Sequence, residues 1–307
     1  MAVERSLARR AFAKINLDLR VLGARPDGYH ELRTTFQSIA LADTLTFTCA
    51  PGPFRIDCDD PDCPTDRRNL VWRAAEQIWK ATRRRGAPHD VSVRIAKRIP
   101  MQAGLGGGSS DAAAALRALA VLWRAKLTRD RLHRMAAAIG ADVPYFLEGG
   151  TVLGLDRGDR LFPLEDIPRA WVALVVPGFG VSTQDAFAWW DADGRTGKKR
   201  REEQQGRDTL GHASNDLQAP VAKRHPIVAR LVAALEREGA FHTSLSGSGS
   251  AVFGLFTRKS EAERAAQSLK LLSGRQASLR MRGRQAGQII IVTRTLDRAE
   301  CRRLAAK

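Results

Sequence analysis

From Ala11 to Val21 the chain alternates. Ala11, Ala13, Ile15, Leu17, Leu19 and Val21 fall on one side of an extended backbone, and Phe12, Lys14, Asn16, Asp18 and Arg20 on the other. A period of two predicts a strand with one buried face and one mostly polar face. RPDGYHEL follows as a turn, and further strands are expected at Phe36–Ile39 and Thr44–Thr48. At Leu70–Arg84 the period lengthens: Leu70, Ala74, Ile78 and Trp79 share one side of a helix. Arg83, Arg84, Arg85 and then Gly86 match helix-stop chemistry, so this arginine run reads as a cap and not as a nucleic-acid patch. Val91–Ile99 alternates again and predicts a strand.

Helices are expected over Asp111–Arg124 and Leu127–Ile139, the second capped by Gly140, with strands at Gly150–Leu155 and Ala170–Val176. Ala192–Asp208 is highly charged, has no apolar period and reads as a mobile surface loop. After it come a helix at Val221–Glu238, a Gly/Ser loop running into a strand over Ser244–Phe256, a helix at Glu261–Ser273 and a last strand at Gln288–Thr295. Helices and strands that do not alternate strictly indicate an α+β fold in two lobes, joined near Leu155–Pro168. A length of 307 residues suits two domains, placed at 1–160 and 161–307.

Charge adds a constraint. Fifty Lys and Arg against 33 Asp and Glu give a net charge of +17. That excess favours anionic partners without choosing among nucleotides, phosphorylated metabolites, nucleic acid or membrane. Cys58 and Cys63 flank an acidic turn, CDDPDC, with no further ligands at metal-site spacing. The four cysteines read as reduced thiols of a cytoplasmic protein. The first residues carry charges where a signal peptide needs an apolar core, and WVALVV is too short to span a bilayer.

Candidate chemistry concentrates in PMQAGLGGGSSDAAAAL, Pro100–Leu116. Glycines tolerate unusual backbone angles and let a ligand approach closely, and the first N–H groups of the following helix are unpaired at its positive end. Together these make a phosphate cradle. Ser109 and Ser110 are able to cap the helix or to touch a phosphate or its metal. The loop has no lysine for a P-loop, lacks the third glycine of a dinucleotide fingerprint, and opens a helix where the protein-kinase loop sits in a hairpin. A different nucleotide loop remains, alongside a tight turn with no ligand. Taken singly, Lys14 reads as a solvated strand residue, Asp142 in IGADVPYFL as either a turn residue or a catalytic carboxylate, and SLSGSG at Ser244–Gly249 as a linker.

Taken together, the segments resemble the GHMP small-molecule kinases. Three motifs of that family stand in order: AKINLDL from Ala13, PMQAGLGGGSSDAAA from Pro100 and SLSGSGSAVFG from Ser244. RPDGYHELRT, GADVPYFL and SNDLQ are similar to the member that acts on CDP-methylerythritol in the non-mevalonate isoprenoid route. The resemblance spans about Ala13 to Phe256.

The resemblance implies an N-terminal ATP-binding lobe, like a ribosomal-protein domain and with a left-handed βαβ unit. It also implies a C-terminal α+β lobe, an active site between the two, and ATP-dependent phosphorylation of the substrate's 2-hydroxyl. By position, Gly104, Leu105, Gly106, Gly107, Gly108, Ser109 and Ser110 would hold the ATP phosphates, with Asn69 and Leu70 near the adenine. Asp142 would be the general base and Lys14 its charge partner. Asn16, Gly247 and Ser248 would meet the acceptor; Tyr29 would stack on the cytosine, His30 would hydrogen-bond it and Phe187 would cover its opposite face. Mg²⁺ would accompany ATP, with Ser110 as a ligand. The implied partner is a small molecule, with no nucleic acid or membrane, and the implied protein is a monomer or homodimer. A homoserine or mevalonate kinase is the nearest rival reading, and those substrates have no base for an aromatic to stack on. A basic RNA-binding module is the remote rival, and no aromatic-plus-basic RNA motif is present.

Overall fold

The computed structural model describes residues 6–196, 214–277 and 287–305. Its first sheet contains β1 (Ser6–Ala24), β2 (His30–Pro53), β3 (Arg55–Cys58), β4 (His89–Ala96), β5 (Thr151–Asp156) and β6 (Arg160–Pro163). β1 and β2 form an antiparallel hairpin whose turn is closed by Arg25 N–H to Tyr29 O (2.8 Å), with Gly28 at φ +81°. The opposite edge of β2 pairs with β5 along its first half and with β4 along its second. β3 runs parallel to β4, with α1 (Leu70–Ala81) between them, giving a βαβ unit.

The two strands expected at 36–39 and 44–48 are one. The β1–β2 register slips from Phe12↔Ala42 to Lys14↔Ser38, and Ile39 turns out of the ladder to bridge Thr295. This bulge re-aims the strand without ending it. β3, β6 and a C-terminal helix are too short or too polar to show a period.

The helices differ from expectation at their ends. α1 stops at Ala81, because Arg83 takes φ +59°. The arginines therefore follow the helix and do not cap it, and Arg84 lies over the Trp79 ring at 4.8 Å. α2 (Gly107–Leu122) begins four residues before the expected Asp111, so four loop residues, Gly107, Gly108, Ser109 and Ser110, form its first turn. α3 (Arg129–Ile139) is capped by Thr128, whose Oγ1 accepts from Arg131 N–H, and ends before Gly140 as expected. A short α4 follows (Tyr145–Glu148).

The second sheet has the order β10-β7-β9-β8, all antiparallel: β7 (Trp171–Val176), β8 (His242–Leu245), β9 (Val252–Phe256) and β10 (Ile289–Arg294). α5 (Thr183–Thr196) takes up 192–196 of the charged segment expected as a loop, and its remainder, 197–208, lies outside the described residues. The helix expected at 221–238 is two, α6 (Gln218–Arg224) and α7 (Ile227–Arg237). Pro226 separates them, since proline lacks an N–H and disfavours helical backbone in the residue before it. α8 (Lys259–Ala277) and α9 (Arg298–Ala305) complete the set.

The chain thus adopts the two-lobed α+β architecture expected of it. One core fills the space between the first sheet and α1–α3, including Leu45, Phe47, Ile78, Trp79, Val93 and Leu116. β7 is buried on both faces. Ala173 and Val175 pack with Leu235 and Val252 in the second core, while Val172, Leu174 and Val176 pack with Ala13, Ile15, Ile39 and Phe253. The lobes are therefore joined by apolar packing through β1, and Leu19↔Asn215 adds a backbone bridge.

One buried charge anchors α4. Glu148 is 5 % exposed; Arg129 donates to its Oε1, His133 Nε2 lies 2.9 Å from the same oxygen, and Arg302 stands 3.9 Å from Oε2. The His133 hydrogen bond, with the Arg129 contact, holds its pKa down at about 2. A depressed folded pKa gives stability that is complete above the unfolded carboxyl value and is lost as pH falls toward 2. The drop from an ordinary Glu value corresponds to roughly 3 kcal/mol. Glu148→Gln is expected to narrow the stability gap to wild type steadily between about pH 4.5 and pH 2, read from urea midpoints. A gap that does not change with pH would contradict this assignment.

Candidate active site

β1 brings Lys14 and Asn16 to the floor of a cleft between the lobes. The face expected to be polar and solvated is buried there, with Lys14 at 3 % and Asn16 at 1 % exposure. The solvated-lysine reading is therefore corrected: the loop after β8 lies directly over this stretch. A Cβ on Gly247 would come within 3.2 Å of Lys14 Nζ and 3.3 Å of Asn16 Oδ1. Lys14 Nζ donates to Asn16 Oδ1 (2.6 Å), and Asn16 Nδ2 donates to Thr34 Oγ1 (2.8 Å). Asp142, in the turn between α3 and α4, places Oδ2 3.6 Å from Lys14 Nζ. Burial lowers the Lys14 pKa, and the Asp142 charge and hydrogen bond oppose that shift.

The glycine loop is pinned from both sides. Lys14 N–H donates to Leu105 O (3.1 Å), Ser246 Oγ to Gly104 O (2.9 Å) and Ala251 N–H to Ala103 O (3.1 Å). Gly104 sits at φ +73°, and a Cβ there would stand 2.0 Å from Ser246 O, so no other residue fits. Gly106, at φ +70°, is the N-cap of α2 and offers no side-chain bond, which leaves the first N–H groups of the helix directed at the cleft. The Ser/Gly loop is held in turn by Asn215, whose Nδ2 donates to Leu245 O (2.8 Å) and Gly247 O (2.7 Å).

The cleft is a cavity of about 1000 Å³. It brings together Lys14, Asn16, Tyr29, His30, Leu70, Gly104–Ser109, Asp142, Phe187, Gly247 and Ser248. Two expected residues are not among its walls. Asn69 is spent on structure: its Oδ1 caps α1 by accepting from Val71 N–H, and its Nδ2 donates to Pro64 O (2.7 Å). Ser110 turns away and donates to Phe12 O at 2.7 Å. Its hydroxyl does not fit the expected Mg²⁺ ligand, and Ser109 is the serine that faces the cleft. Among the described residues there is no cluster of three or more His, Cys, Asp or Glu able to hold a metal.

At the other end of the cleft Tyr29 is 54 % exposed, with the Arg157 guanidinium 5.1 Å over its ring. His30 is stacked on Phe187 (centroids 4.7 Å, planes 16° apart), edge-on to Trp190, and 3.0 Å from Asp191 Oδ1. One face of Phe187 is thus covered by His30. Lys97, Arg157, Thr183 and Asp191 also line the cleft and were not singled out from sequence. Thr183 and Asp191 sit on a helix whose period is weak, and Lys97 read only as one member of an alternating strand. The ensemble is an aromatic platform at one end, helix N–H groups at the other and an amine–carboxylate pair near the glycines. Such a site can hold a base and a phosphate chain at once and take a proton between them.

The description "GHMP kinases N terminal domain" matches residues 69–150, and "GHMP kinases C terminal" matches 199–272. A 4-diphosphocytidyl-2-C-methyl-D-erythritol kinase of Solibacter usitatus is 44 % identical over 281 residues, covering 88 % of this chain and 87 % of the relative. The protein of that name from Moorella thermoacetica is 40 % identical, covering 85 % and 93 %. A crystal structure of 4-(cytidine 5'-diphospho)-2C-methyl-D-erythritol kinase superposes with TM-score 0.72 at 32 % identity, over 94 % of this chain and all of the other. A homoserine kinase from Cytophaga hutchinsonii shares the fold (TM-score 0.64, 20 % identity, 95 % and 96 % covered).

Proposed function

The chain belongs to the GHMP kinases, and within them to the family of 4-diphosphocytidyl-2-C-methyl-D-erythritol kinases; from that membership we propose that it transfers the γ-phosphoryl group of ATP to the 2-hydroxyl of 4-diphosphocytidyl-2-C-methyl-D-erythritol, with Asp142 as general base. The observation that carries this reading is the placement of the Lys14–Asp142 pair between the glycine loop and the Tyr29–His30 platform of one cavity. The acceptor oxygen forms a bond to phosphorus, the bond to the ADP oxygen breaks, and the hydroxyl proton passes to an Asp142 oxygen. Phosphoryl transfer depends mainly on positioning and charge stabilisation. Lys14, held by Asn16, keeps a positive charge beside the carboxylate and offsets charge developing at the transferring group.

The residues from Gly104 to Ser109 hold the phosphates through backbone N–H groups, and Leu70 borders the nucleotide. A Mg²⁺ accompanying ATP would lie beside Ser109 of the glycine loop and would supply charge neutralisation of the phosphates. Asn16, Gly247 and Ser248 face the acceptor. His30 reads the edge of the base and Tyr29 stacks on its face, with Phe187 packed behind the imidazole. The two domains divide at residue 160, with β6 closing the first sheet across that division.

Tyr29→Ala tests the platform. It is expected to raise KM for the cytidyl substrate about tenfold or more, in line with a stacking contact of 1–3 kcal/mol, and to leave KM for ATP unchanged. Equal weakening of both substrates would make Tyr29 a structural residue.

A further inference from the structure

A second cavity, of about 230 Å³, lies along another face of α2. Ser110, Ala114, Arg117 and Val121 recur at helical spacing and form one wall; Arg9, Arg10 and Phe12 of β1 form another, and α9 closes it with Arg302. Four guanidiniums from three elements meet around it, and Glu148 is the carboxylate on its wall. That carboxylate is already satisfied by Arg129, His133 and Arg302. Arg9 donates to Ala8 O, Arg117 to Leu147 O, and Arg10 lies 4.9 Å over the Phe12 ring. Among the described residues none of these three has a carboxylate within ion-pair distance.

Such an arrangement is costly without an anion. Burial lowers the pKa of Arg117, Glu148 opposes that shift, and Arg302 and Arg9 add to it by repulsion. A half-buried cation among cations, lining a cavity, marks a site for negative charge. Cavity size limits the ligand: the volume is below that of ordinary drug-sized pockets. The floor adds apolar surface from Phe12, Ala114 and Phe146, while exposed Val121 and Arg302 form the rim.

We propose that this cavity is a second anion site, taking the phosphate or diphosphate group of a small ligand that carries at most a short apolar part. It is separate from the ATP phosphate site, since Ser109 faces the cleft and Ser110 faces this cavity. The two are neighbours. Phe146 lines the second cavity, and its ring would stand 2.6 Å from a Cβ on Gly106 of the phosphate loop. An occupant therefore touches the same side chain that packs against the loop.

Titration calorimetry tests the site, on the whole chain saturated with a non-hydrolysable ATP analogue and at ionic strength fixed with NaCl. Inorganic phosphate, pyrophosphate and phenyl phosphate are the probes. Pyrophosphate is expected to bind one saturable site, and to bind about tenfold or more weakly in Arg117→Gln and in Arg9→Gln. Phenyl phosphate binding more tightly than inorganic phosphate points to an ester as the occupant, and the reverse order to the free anion. Among the described residues the Arg9 side chain bonds only to the carbonyl of its own neighbour, so Arg9→Gln tests the site with little disturbance of the fold. Absence of saturable binding to the wild type, or equal affinity in both variants, would overturn the proposal.

Discussion

Asp142→Asn is expected to lower kcat by about a hundredfold or more while ATP affinity stays within about twofold. The asparagine keeps the size and the turn position but cannot accept the hydroxyl proton. Lys14 remains buried and bonded to Asn16, so the floor of the cleft keeps its shape. Binding of ATP, measured by nucleotide titration, is assigned by the proposal to the glycine loop, whose bonds run to Lys14 N–H, Ser246 and Ala251 and not to Asp142. Single-turnover rates separate this loss from any change in product release. Turnover near that of wild type would remove Asp142 from the base role and leave Lys14 and the loop as the whole of the catalytic apparatus.

The largest expected loss of stability comes from Lys97→Met. Lys97 Nζ lies 2.5 Å from Asp43 Oδ2 and 2.9 Å from Asp111 Oδ2, and all three side chains are nearly or fully buried. Asp43 Oδ1 also accepts from the backbone N–H groups of Arg98 (2.5 Å) and Ile99 (2.8 Å), which fixes the segment entering the glycine loop. Burial alone would pull the Lys97 pKa down, and the two carboxylates more than reverse it. Burial pushes the Asp111 carboxyl up to about 7 despite the lysine, and its Oδ1 has no hydrogen-bond partner among the described residues. Removing the ammonium leaves two carboxyl groups buried side by side, at a cost of about 3–5 kcal/mol. Urea midpoints read the loss directly. Asp43→Asn in the Lys97→Met background is expected to recover part of it, because it replaces one of the two adjacent buried carboxyl groups by a neutral amide whose oxygen still accepts from Arg98 and Ile99 N–H. A loss below about 1 kcal/mol would mean that water reaches the triad and screens it.

Much of the fold was legible because it rests on periodicity. The alternation at Val91–Ile95 and the helical spacing at Leu70–Trp79 each mark an element that buries one face against the first core, while the alternating positions of Ala11–Val21 are shared among three apolar clusters. What failed was decided by long-range contacts. Lys14 sits on the polar side of its strand and is nonetheless buried, because a loop 230 residues later, around Gly247, covers it. β2 continues through Ala40–Ala42 because Ile39 finds Thr295 across the lobes. Of the candidate site, the glycine loop was legible from composition, Asp142 stood open between a turn residue and a catalytic carboxylate, and its role as base came only through resemblance. Neighbouring serines could not be told apart in sequence. Helical geometry sends Ser109 to the cleft and Ser110 to Phe12 O, which takes the expected metal ligand out of the site.

The proposed function requires the cavity to join ATP to a cytidyl acceptor. A coupled ADP-release assay with ATP and Mg²⁺ supplied, comparing 4-diphosphocytidyl-2-C-methyl-D-erythritol with homoserine and mevalonate, tests it most directly. ADP formation is expected with the cytidyl substrate, and a kcat/KM at least about a thousandfold lower with the other two, because neither offers a base to the Tyr29–His30 platform. Turnover of homoserine or mevalonate equal to or faster than that of the cytidyl substrate would contradict it.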